Sequence, residues 1–182
     1  MSSSRTWFRK GIEPHTIITL DRPEPSQWEI LEKLNEHDRQ LEEEDIDEGL
    51  PLSYASTKLL CRDPTDHAKK AFMRIYIQVP YANTEIDDPT TRSRQATTCT
   101  PPELTAYQAL TRKGSVNTPK LLGYKKGTQD SSGLVHGGFI VWLAWEMVPG
   151  LRLGDQFGGG AFWALEPRER EEIRMVFLKT LP

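Results

Sequence analysis

The sequence has little of what usually announces a function. Only two cysteines are present, Cys61 and Cys99, far apart and with no partner at ligand spacing. Neither a disulfide framework nor a zinc site is legible, and two reduced thiols are expected. The four histidines, His15, His37, His67 and His136, pair neither with one another nor with a cysteine, so no metal site and no cofactor are expected. The longest apolar run, from Phe139 to Trp145, is far short of the roughly 20 residues that cross a bilayer. The polar start from Met1 to Arg5 leads into no apolar stretch of secretory length, so a cytoplasmic location is expected, with the nucleus as the alternative. Charge of one sign is also missing: Lys and Arg number 23 against 26 Asp and Glu, a formal charge of −3. A general nucleic-acid binder is thereby disfavoured. Ser, His and Asp occur without a nucleophile-elbow sequence, and there is no internal repeat.

What is present suits a folded centre with polar margins. The 182 residues are 37% hydrophobic and include five Trp, at a mean hydropathy of −0.56, enough for one core. Residues 1–51 read as an N-terminal arm, a helix and an acidic linker. Residues 52–182 read as the domain proper. In the first part, Ser26-Gln27-Trp28-Glu29 has the form of a capping box, and Trp28, Leu31, Leu34 and Leu41 follow at near-helical spacing. The run Glu42, Glu43, Glu44, Asp45, Asp47, Glu48 then reads as a solvated connector.

Beyond residue 52 the period becomes two. Phe72, Arg74, Tyr76 and Gln78 fall on one face, and Met73, Ile75, Ile77 and Val79 on the other, a half-buried strand stopped by Pro80. A weaker strand at 56–61 joins it through Arg62-Asp-Pro-Thr-Asp66, a hairpin in which Asp63, Asp66 and His67 serve the turn. Residues 82–99 are polar and aperiodic and read as a mobile loop. Thr100-Pro-Pro-Glu103 opens a helix with Thr100 as cap and Leu104, Tyr107 and Leu110 as its apolar stripe, closed by Gly114. Two antiparallel strands follow, at 119–124 and 138–146. After Gly158-Gly-Gly160 a last helix begins near Pro167, with Ile173, Val176, Phe177 and Leu181 on one stripe. The fold class expected is α+β: an antiparallel sheet of about four or five strands with the Pro101 helix packed on it, plus N-terminal and C-terminal helices.

The order strand, strand, helix, strand, strand, with an exit through Glu146-Met-Val-Pro-Gly150, resembles the small lobe of the protein kinase-like superfamily. The segments at 72–80, 100–107, 118–124 and 145–150 are similar to pieces of fungal kinase-like proteins related to the aminoglycoside and choline phosphotransferases. From about Leu52 onward the resemblance covers some two-thirds of the chain. It implies that Arg74 takes the place of the phosphate-holding lysine of the third strand, with Glu103 as the helix acid that positions it. Arg for Lys alters the geometry of phosphate contact, and Lys69 and Lys70 are substitutes. It further implies that Glu146 to Val148 form a hinge facing an adenine, with Trp145 behind it. The ligand-binding candidates are therefore Arg74, Tyr76, Glu103, Trp145, Glu146 and Val148, and the candidate catalytic groups are Arg74 and Glu103. Each has a plainer reading: Glu103 as a capping residue, Arg74 as an exposed cross-strand charge, and Trp145 as a core aromatic.

The phosphotransfer machinery itself is not legible. After Gly150 stands a single Asp, Asp155, and between Ser56 and Arg74 there is no glycine to let backbone N–H groups approach phosphate. The expectation is a small lobe without its catalytic lobe, which transfers no phosphate and acts as a binding or regulatory module. Its partner is a second copy or another protein, met through the interface stripe Ile173, Val176, Phe177 and Leu181. The alternatives are an enzyme that uses the former nucleotide cleft on a small organic ligand, and a truncated phosphotransferase.

Overall fold

The computed structural model describes residues 6–47, 52–150, 153–154 and 158–180. They divide into two compact units, Met1–Met147 and Val148–Pro182.

In the first unit six strands form one antiparallel sheet: β1 (Ile17–Leu20), β2 (Ser26–Arg39), β3 (Tyr54–Arg62), β4 (Lys70–Gln78), β5 (Leu121–Thr128) and β6 (Phe139–Glu146), in the order β1-β2-β3-β4-β6-β5. The second residue after β1 closes the curl. Arg22 and Tyr124 exchange both backbone hydrogen bonds, 3.1 and 2.7 Å, so the two outer strands meet and the sheet is nearly a barrel. The strand count and the near-barrel shape both differ from the expected sheet of about four or five strands.

Strand β1 lies in the stretch read as an arm, on its β-branched run Thr16-Ile-Ile-Thr19, and the further strand β2 lies in the stretch read as a helix. Residues 26–39 are not helical; they form β2, and the Ser26 hydroxyl accepts from the Trp28 indole rather than capping a helix. Its pairing with β3 is irregular between Ile30 and Glu32 and again between Lys33 and Asn35. Each bulge inserts an extra residue and breaks the two-residue alternation. The apolar Leu31 and Leu34 therefore fall three apart from Trp28, which imitates a helical stripe. The connector is also partly regular, since Glu43–Asp47 form a short helix, α1.

Alternation on β4 is as expected. Ala71, Met73, Ile75 and Ile77 point into the barrel, where they meet Leu59, Cys61, Trp28, Ile30 and Leu20, all buried. Phe72, Arg74 and Tyr76 point outward. On that outer face α3 (Pro102–Arg112) lays Leu104 against Leu121, Val141, Leu143 and Trp145 in a second apolar layer. Gly114 follows α3 at φ +66°, the left-handed conformation that suits glycine at a helix end. The segment read as a mobile loop is tied to the sheet instead. It holds a short helix, α2 (Pro89–Ser93), capped by Asp88, and the buried Gln78 donates to the Gln95 carbonyl and accepts from the Thr97 amide. Gly138 lies so close that a Cβ there would stand 2.7 Å from Gln78 Oε1.

The second unit contains α4 (Gly160–Trp163) and α5 (Pro167–Thr180). The C-terminal helix is where the sequence places it. Val176 and Phe177 are 62% and 61% exposed, but Met175 and Leu178 on other sides are also exposed, so the apolar surface is broader than one stripe. Leu181 lies outside the described residues.

Candidate functional site

Register brings the candidate residues together. Arg74 and Tyr76 are two apart on β4 and so share its outer face. Glu103 stands in the first turn of α3, which crosses that face. Arg74 Nη1 donates to Glu103 Oε2 at 2.9 Å, and the Tyr76 hydroxyl donates to the same oxygen at 2.7 Å. Both members of the ion pair are roughly three-quarters covered, with side chains 28% and 23% exposed.

This contact decides between two readings of Glu103. The capping box is not formed: Pro101 is the cap residue, no side chain caps α3, and the Thr100 hydroxyl instead accepts from Lys126 Nζ at 2.7 Å. With no capping duty, the carboxylate turns to the sheet.

The surroundings are aromatic. Trp145 stacks on Tyr107 at 5.5 Å and 24°, lies 6.1 Å from Phe72, and has the Arg74 guanidinium 5.7 Å from its ring. At 6% exposure it is core, wedged between β6 and α3. Lys58, directly opposite Arg74 on β3, extends over Phe72 at 3.8 Å. Lys58 and Tyr107 were not among the sequence candidates. The available signal for Tyr107 was its position four residues after Glu103, on the same helix face.

Electrostatics follow from this half-buried setting. Burial, and next the charge of Glu103, push the Tyr76 phenol well above its usual range, so it is a neutral donor. Burial likewise pushes Tyr107 up to about 12. For Arg74, burial opposes the charge, but Glu103 and Tyr76 outweigh it and the guanidinium is held more firmly protonated than usual. Glu103 already takes two hydrogen bonds on one oxygen, so it serves as an anchor for the pair rather than as an idle base.

Two candidates are placed differently. The Glu146 carboxylate accepts from the Lys120 amide at 3.0 Å, and the Glu146 amide donates to the Lys120 carbonyl, which pins the start of β5 to the end of β6. Val148 belongs to the second unit and is 53% exposed. Among the described residues no group of three His, Cys, Asp or Glu could hold a metal, and no helix is long and apolar enough to cross a membrane. No family model, curated protein or solved structure matches the chain.

Proposed function

We propose that the sheet-and-helix unit is a binding or regulatory module similar to the small lobe of kinase-like proteins, and that it does not transfer phosphate. The observation that carries the reading is the Arg74–Glu103 contact. A strand base and a helix acid, singled out 29 positions apart by their order in the chain, lie 2.9 Å from each other. The strand order β2-β3-β4-β6-β5, with α3 inserted between β4 and β5, supports it too.

Against phosphotransfer stand Arg74 in place of the usual lysine, since a planar fork and a point charge meet phosphate differently, and the residues from Ser56 to Arg74, which offer no glycine for a phosphate-covering loop. Self-association belongs to the same proposal: the exposed Val176 and Phe177 side chains suit a second copy.

Calorimetric titration with ATP and Mg²⁺ tests the central claim. We expect no binding at micromolar nucleotide and no phosphate transfer to protein or added acceptors. Micromolar or tighter binding that is lost in Arg74→Ala would replace the proposal with a nucleotide-binding one, and turnover would make the chain a phosphotransferase.

A further inference from the structure

A cavity of about 420 Å³ opens beside, but not within, the Arg74–Glu103 pair. Strand register builds it. Arg39 on β2 stands directly opposite Tyr54 on β3, and Tyr54 is opposite Gln78, one diagonal step from Tyr76 on β4. The Tyr54 and Tyr76 rings pack 5.7 Å apart and form a wall. Phe139 and the Pro101-Pro102 pair complete the lining, and Cys99 lies at the margin shared with a neighbouring groove that reaches Lys126. Two prolines bring no N–H donor to their side of the cavity.

The one cation of this lining is also uncommitted: among the described residues, the Arg39 side chain makes neither a hydrogen bond nor an ion pair. Its lack of a carboxylate partner is notable, because Glu42, Glu43 and Glu44 follow within five positions.

We infer that this cavity is a binding site for a small aromatic carboxylate, with its ring system against Tyr54, Tyr76 and Phe139 and its carboxylate on Arg39. Three arguments fix the class. A cavity of about 150 Å³ takes one benzene ring, so this volume suits a body of two or three rings. A mostly apolar lining with one polar anchor is the usual make-up of a small-molecule site. A guanidinium pairs well with a carboxylate in a two-pronged contact, whereas a phosphate dianion would meet a single cation and a turn of neighbouring acids. The inference stands apart from the kinase-like reading, since neither Arg74 nor Glu103 lines the cavity.

Cys99 supplies the readout. It is partly exposed while Cys61 is fully buried, so a neutral aromatic disulfide such as 4,4′-dithiodipyridine should label Cys99 first. Cys99→Ser identifies that phase. We expect 1-naphthoate to slow the labelling saturably, and its half-protecting concentration to rise at least tenfold in Arg39→Gln. The uncharged isostere 1-naphthalenemethanol should protect at least tenfold more weakly than the carboxylate in the wild-type chain. Calorimetric titration of 1-naphthoate into both proteins gives the same ratio without the thiol. Absence of protection at millimolar naphthoate, equal protection in Arg39→Gln, or equal protection by the alcohol would each overturn the inference. Because ATP binding enters none of these measurements, the two proposals stand or fall separately.

Discussion

At the scale of single residues, the assignment of Glu103 to the sheet rather than to the helix end has a direct test. Truncating it in Glu103→Ala leaves Arg74 and the Tyr76 hydroxyl without their acceptor in a half-buried site, and hydrogen bonds to charged groups are worth about 1.5–3 kcal/mol. Thr100→Ala removes only a surface contact with Lys126. In denaturant titrations we expect Glu103→Ala to lose on the order of 2 kcal/mol and Thr100→Ala within about 0.5 kcal/mol; similar losses from both would restore the capping box. Local sequence could not decide this, because Thr-Pro-Pro-Glu is a sound helix start by itself and the competing partner lies 29 positions away on β4. A second residue carries a pH dependence. Glu29 is held down to about 2, first by the two-pronged Arg62 contact and then by His15. A carboxyl lowered in the fold stabilises it above the ordinary carboxylate range and loses that contribution as pH falls from about 4.5 towards 2. Glu29→Gln should therefore melt below the wild type at pH 7 and together with it near pH 2. A deficit that persists unchanged at pH 2 would show that packing, not charge, is responsible.

Among the elements, β4, the β5–β6 pair, α3 and α5 were legible because each obeys one period from end to end and is bounded by Pro, Gly or a turn. Strand β2 was not, since its two bulges place Trp28, Leu31 and Leu34 at intervals of three. The two descriptions of this segment differ in what they predict for two residues. In the strand Ile30 is fully buried and Leu34 is 40% exposed, whereas in a helix the two, four positions apart, would share the core face. We expect Ile30→Ala to cost about 2–5 kcal/mol and Leu34→Ser no more than about 0.5 kcal/mol, read from urea midpoints at constant slope. Large losses from both would reinstate the helix. The outer-face residues of the candidate site were legible for the same reason as β4. The cavity beside Arg39 was not, because it depends on β2 being a strand in register with Tyr54.

For the whole molecule, the exposed apolar surface of α5 leads to a prediction about assembly. Val176 and Phe177 lie beside each other, each more than half exposed, and fully burying a side chain of this size contributes about 1.5–3 kcal/mol. Sedimentation at tens of micromolar should show a dimer for the wild-type chain and a monomer for Phe177→Asp, with the sheet still folded by circular dichroism. A wild-type monomer would rule the dimer out.

The Arg22–Tyr124 bridge has a consequence for solubility. A curled sheet that fails to close presents two margins, each a row of backbone donors and acceptors able to template a neighbouring chain. Here β1, only four residues long, covers the margin of β2, and the next residues fasten it to β5, so one short segment blunts both. Its contribution to melting temperature would understate its value. A chain deprived of residues 17–22 would bare both margins, and edge-to-edge association of copies is the expected result.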